Sequence, residues 1–198
     1  MLTIIKFLED TNLDCKQFWK LIDESREASV DWEEMYEPLV ETLSKLSDDE
    51  IIKWGQIFNL YQKKSYNDRL WAAAYVINGG CSDDGFDYFR GWLMAQGKDV
   101  FLNALRDPDS LVELEPGCGE AEFEEMLYVD TSAYFKKHNL NGEYDRYNNE
   151  YDKCPLSAEE IAAIESEIVF AEATDLDWGS DESLLKDIVP KLCDYFEW

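Results

Sequence analysis

Residues 70–111, LWAAAYVINGGCSDDGFDYFRGWLMAQGKDVFLNALRDPDSL, hold most of the side chains whose types and spacing could do chemistry. Asp83, Asp84, Asp107 and Asp109 could supply hard oxygen ligands to a divalent cation. The competing reading is stronger. Asp83-Asp84 suits the positively polarised start of a helix, and Asp107-Pro108-Asp109-Ser110 reads as a turn followed by a cap. At 100° per residue from Asp83, the residues Phe86, Phe89 and Leu93 share one face, the expected buried one. Asp83, Asp87 and Arg90 share another, so Arg90 can reach Asp87 one turn back. Trp92 and Tyr88 widen the apolar side, and a covered Arg90 would need its carboxylate close because an unpaired buried guanidinium is costly. As a ligand or partner pocket the stretch therefore offers Trp71, Asp83, Asp84, Asp87, Arg90, Trp92, Asp107 and Asp109.

Nucleophilic chemistry finds little support. Cys81 would need a lowered pKa and a nearby base, and its acidic neighbours disfavour the thiolate. The only histidine, His138, ends a remote helix in Lys136-Lys137-His138, where a positive charge suits the negative helix terminus. Gly79-Gly80 ends a helix, whereas phosphate-cradling glycines begin one. No HExxH or GxSxG pattern is present, no catalytic or metal-ligating residue is assigned, and no cofactor is implied.

The elements that must position this stretch are helical, with little alternation of period two. Met1–Leu8 could form a short strand or an arm. Helices are expected from Asp14 to about Ala28–Val30, along Met35, Leu39, Leu43 and Leu46, and after Ser47, whose Glu50 completes a capping box. The third turns Ile51, Trp54, Ile57, Phe58 and Tyr61 inward. A fourth, Asn67–Asn78, stops at Gly79-Gly80, and a fifth, capped by Ser82 or Asp83, stops at Gly97. A short sixth covers Val100–Leu105, a loop covers 115–120, and a seventh covers Ala121–His138. Asn139–Pro155 is polar and is read as a loop. Ser157 and Glu160 form a second capping box before Ile161, Ile164 and Ile168. A last helix, Glu182–Phe196, must break before Pro190. The aromatic series Trp54, Tyr61, Tyr66, Trp71, Tyr75, Phe86, Phe89 and Trp92 is expected to be core. The fold class is all-α: an irregular multi-helix bundle over 1–140, with an acidic helical extension over 141–198 packed on the same domain.

With 198 residues, 45% of them hydrophobic, the chain can bury one good-sized core without staples. Its net charge of −26 is unevenly spread: −7 over residues 1–63, zero over 64–106, −9 over 107–153 and −10 over 154–198. The chemistry-bearing stretch is thus the balanced part of an acidic molecule. This sign repels nucleic-acid phosphates and anionic lipid, and it speeds encounter with a basic protein. No apolar run approaches membrane-span length. Five scattered cysteines without a CxxC pair, and an N-terminus lacking a small-residue cleavage site, suggest a cytoplasmic protein with reduced thiols.

FWKLIDESR at 18–26, LWAAAYVINGGCSDDGFDYFRGWLMAQGKDVF at 70–101, ALRDPDSL at 104–111 and LYVDTSAY at 127–134 resemble the bacterial domain-of-unknown-function family 4240 over roughly residues 15–140. The GGCSDDGFDYFRGWL run is the specific part. The resemblance implies marked positions at Trp71, Gly79, Gly80, Ser82–Asp84, Phe86, Phe89–Arg90, Trp92, Leu93, Gly97 and Asp107–Asp109. It implies no activity or ligand, and it leaves residues 141–198 uncovered. The preferred function is a non-catalytic acidic binding protein, of the immunity or antitoxin kind, that inhibits a basic partner protein. The alternatives are an enzyme or small-molecule or metal sensor built on the Asp/Arg cluster, and a structural adaptor in which that cluster only braces the bundle.

Overall fold

Local capping chemistry sets where most helices begin. In this computed structural model, residues 13–172 and 177–198 are described; the expectation for Met1–Leu8 lies outside them. Asp14 opens α1 (Cys15–Glu27) with a capping box to Gln17, and Ser47 opens α3 (Asp48–Lys64) with one to Glu50. Between them lies α2 (Tyr36–Leu43). Asn67 caps α4 (Asp68–Asn78), which ends on Gly79 at φ 68°, a left-handed conformation that glycine adopts without steric cost. Ser82, rather than Asp83, accepts from the Gly85 N–H and starts α5 (Asp83–Ala95). Then come α6 (Lys98–Arg106) and a 3-10 stretch, Pro108–Leu114. The chain is all-α, with no strand among the described residues.

Two expectations about the following segment are corrected. Ala121–His138 is not one helix: a 3-10 turn, Glu124–Tyr128, precedes α7 (Val129–His138). The backbone ahead of it is bonded elsewhere, Phe123 N–H to the Tyr88 carbonyl and Ala121 N–H to Asn78 Oδ1, so it cannot also close helical turns. Asn139–Pro155 is not all loop either, because it contains α8 (Tyr144–Tyr151). Its polar composition concealed Tyr147 and Tyr151, one turn apart, of which Tyr147 is buried. Tyr147 donates to Asp130, a buried carboxyl pushed above its ordinary range by burial, against the pull of hydrogen bonds from Tyr147 and Thr131.

α9 (Ala158–Glu167) starts at the expected Ser157–Glu160 box, but its isoleucine stripe is only partly inside. Ile164 is buried, Ile161 is half-buried, and Ile168 lies beyond the helix in extended backbone. The last helix is broken as Pro190 requires, into α10 (Leu185–Ile188) and α11 (Pro190–Tyr195), with Val189 between.

An aromatic cluster ties α1, α3 and α6 together. Phe18 lies 5.0 Å from both Trp19 and Trp54, and Trp19 lies 5.0 Å from Tyr61 and 5.4 Å from Phe101 (ring centres). These edge and tilted arrangements suit the ring quadrupoles as well as burying area. α5 is the hub, packing against α1, α3, α4, α6 and the Glu124–Tyr128 turn. The segments beyond residue 140 dress the outside. Gln56 on α3 donates to the Tyr151 carbonyl at 3.0 Å, while Lys53 pairs with Glu160, Lys64 with Glu165 and Lys98 with Glu167 along α9. At the other end α10 and α11 lie on α4, where Tyr75 donates to Glu182 at 2.8 Å and touches Trp178 and Trp198. No helix of the described residues is long and apolar enough to cross a membrane.

Candidate functional site

The sequence singled out eight residues, and the structure divides them between two places. The first is the seam between α3, the start of α4 and α5. Phe86, Phe89 and Leu93 point inward with no exposed surface, as the helical spacing predicts. Arg90 is also interior, 3% exposed, and each of its nitrogens has a partner. Nε donates to the Phe86 carbonyl at 3.2 Å, one terminal nitrogen to the Gln62 carbonyl at 2.7 Å, and the other to Asp87. Its guanidinium carbon lies 4.5 Å from the centre of the Phe86 ring and 4.9 Å from that of Tyr66, a cation–π arrangement. Burial lowers the Arg90 pKa and the Asp87 charge raises it; a guanidinium stays protonated throughout.

The seam is bolted in the reverse direction too, since the Gln62 amide donates to the Asp87 carbonyl at 2.8 Å. Trp71 is half-buried, stacks on Phe86 at 4.9 Å and 8°, and donates its indole N–H to the Cys81 carbonyl at 3.0 Å. Trp92 is buried against Phe89. Asp83 and Asp84 sit exposed in the first turn of α5, and Asp83 accepts from the Tyr66 hydroxyl at 3.3 Å. Tyr66 itself is 50% exposed, which corrects its assignment to the core: it roofs Arg90 rather than filling space. Asn59, Gln62, Lys63, Tyr66, Asp87 and Arg90 line an open depression of about 420 Å³ over this seam.

The second place is the junction of the Pro108–Leu114 stretch with α11. Asp109 is 6% exposed, and its two oxygens accept from Lys191 N–H at 3.0 Å and Leu192 N–H at 2.9 Å. It caps a helix more than eighty positions later in the chain, satisfying donors that otherwise lack partners. Asp107 is exposed, and its backbone carbonyl accepts from Ser110. Asp109 therefore does not converge with Asp83 and Asp84 on a common centre. Among the described residues, no group of three or more His, Cys, Asp or Glu side chains is placed to hold a metal ion.

Cys81 lies beside Trp71, and burial together with the Glu122 charge pushes its thiol up to about 12. It is a poor nucleophile where it stands. His138 is engaged elsewhere, 2.9 Å from Asp48 at the start of α3. Burial pushes the Asp48 carboxyl up, but hydrogen bonds from Lys137 and His138 outweigh it and hold the group below its ordinary value.

Local spacing could not reveal Gln62 or Tyr66, because their roles depend on α3 crossing α5. Nor could it reveal that Asp109 serves residues 191 and 192. Only the Asp87–Arg90 pair, on one helix and one turn apart, carried a readable signal.

No curated protein and no solved structure matches the chain. A family model does, over residues 13–136, well over half of the chain; its description is "Protein of unknown function (DUF4240)". The matched span begins just before α1 and ends inside α7, and it includes the whole α3–α5 seam and Asp109. The chain belongs to the DUF4240 family.

Proposed function

We propose that this protein is a non-catalytic binding protein for a basic protein partner, acting in the bacterial cytoplasm as an inhibitor of the immunity or antitoxin kind. The observation that carries the reading is how the family motif spends its polar groups. Arg90 and Asp109, its buried charges, are consumed in bracing α3 to α5 and in capping α11. What remains to meet another molecule is the acidic exterior of a chain with net charge −26. Complementary charge accelerates encounter and selects partners of the opposite sign. The five free cysteines accord with a reducing compartment. In this reading Asp83, Asp84 and Asp107 contribute to the acidic surface, while Trp92 and Arg90 form the buried scaffold beneath it and Trp71 and Asp87 brace it from the partly exposed edge.

The test is capture by the immobilised full chain from lysate of its source cell, followed by binding measurements with the purified partner across a salt series. A protein of high isoelectric point, bound at least about tenfold more weakly in roughly 500 mM than in roughly 50 mM NaCl, is the expected result. Recovery of no basic protein at low salt, or of one whose affinity ignores salt, defeats the proposal.

A further inference from the structure

A second cavity lies on the side of α5 that carries Tyr88. It has a volume of about 470 Å³, within the range of pockets that receive a side chain or small ligand. It is lined by Trp32, Tyr36 and Tyr88 together with Glu122, Glu124 and Glu125, from three separate parts of the chain. Phe123 is buried beneath, its ring 5.1 Å from that of Trp32.

Hydrogen bonds within the chain hold the walls in place. Phe123 N–H donates to the Tyr88 carbonyl at 3.0 Å, and Asn78 grips both the N–H and the carbonyl of Ala121, at 3.1 and 3.2 Å. Tyr36 donates its hydroxyl to Ser132 at 2.8 Å. A preformed cavity costs its ligand less ordering entropy.

Among the described residues, no lysine or arginine lines this cavity, and no ion pair engages Glu122, Glu124 or Glu125. Burial first, and then the charges of Glu124 and Asp84, push the Tyr88 hydroxyl above its ordinary value, so negative charge lies beside that ring. Acidic residues alone would attract any cation. Flat aromatic faces beside them favour a planar one, because a guanidinium stacks on rings while its edge donates paired hydrogen bonds to carboxylates.

We infer that the Trp32–Tyr36–Tyr88 cavity receives an arginine side chain of the basic partner. This rests on the function proposed above and names the point of contact. The probe is Nα-acetyl-arginine amide, titrated into the 15N-labelled full chain, with the neutral isostere Nα-acetyl-citrulline amide and with Nα-acetyl-lysine amide for comparison. Saturable shifts confined to the Trp32 indole, Tyr88 and residues 121–125 are expected with the arginine compound alone. In the exposed double variant Glu124→Gln/Glu125→Gln, its affinity should fall at least about fivefold, with the rest of the spectrum unchanged.

Equal response to citrulline or lysine amide, shifts scattered over the whole acidic surface, or undiminished binding by the double variant overturns the inference. The two proposals fail separately. A basic protein that binds wild type and double variant alike removes the cavity's role and leaves the function standing. Arginine amide bound in the cavity by a chain that recovers no basic protein does the reverse.

Discussion

Asp84 and Asp109 look alike in the sequence, as the second and last aspartates of two short acidic motifs, and the fold treats them differently. Asp84 projects from the first turn of α5 into solvent, where its interaction with the helix terminus contributes a few tenths of a kcal/mol. Asp109 is covered, and both of its oxygens are spent on the N-terminus of α11. Asp109→Ala should therefore cost about 1–2 kcal/mol of unfolding free energy, and Asp84→Ala no more than about 0.5. Urea denaturation with intact cooperativity checks both, and equal losses at the two positions would contradict the assignment of Asp109 as a distant cap. Arg90 belongs with Asp109. Its exposed depression resembles a ligand site in outline, but its nitrogens are already bonded to Phe86, Gln62 and Asp87.

The helix that matters most is α5, and its far side is as constrained as its core side. Gly91 faces the segment before the Glu124–Tyr128 turn so closely that a Cβ there would stand 2.7 Å from the Phe123 carbonyl oxygen and 3.0 Å from a Leu127 methyl. The carbonyl is backbone and cannot swing aside. Gly91→Ala should destabilise by about 1–3 kcal/mol even though alanine is the better helix former. It should also displace residues 122–125, so the amide resonances of that segment should move more than those of α1. A thermal melt and an amide spectrum measure the two effects, and a stabilised variant would contradict the close approach of Gly91 to Phe123. This contact is also what couples the motif helix to the aromatic, acidic cavity on its outer face.

Across the whole molecule, charge of one sign dominates. The ion pairs that oppose it are mostly half-exposed, such as Lys98–Glu167 and Lys136–Glu41, and pairs of that kind contribute little each. The net charge of −26 therefore destabilises the compact state through self-repulsion, and salt should relieve it. Raising NaCl from about 20 to about 300 mM should lift the Tm by a few degrees, followed by scanning calorimetry. A fall in Tm would mean that the ion pairs, not the repulsion, govern the electrostatics. The same condition weakens the proposed association with a basic partner, so stability and binding should respond to salt in opposite directions.

Helix positions and inward faces were legible in the sequence, because each depends on residues three or four apart. The Ser47–Glu50 and Ser157–Glu160 boxes, the stop at Gly79 and the Phe86–Phe89–Leu93 face are of this kind. So was the pairing of Asp87 with Arg90. What failed depended on partners far along the chain. The segment at Ala121–Phe123 gave up helix for bonds to Asn78 and Tyr88, and Tyr147 made a helix of a stretch too polar to look like one. The candidate site divided for the same reason. Composition and spacing settled the all-helical class and the acidic balance, both of which are local or additive properties. The crossing of α3 over α5, the capping of α11 by Asp109 and the closure of the Trp32–Tyr88 cavity were decided only by tertiary packing. Each requires side chains from separate helices to find one another, and no periodicity along the chain encodes that meeting.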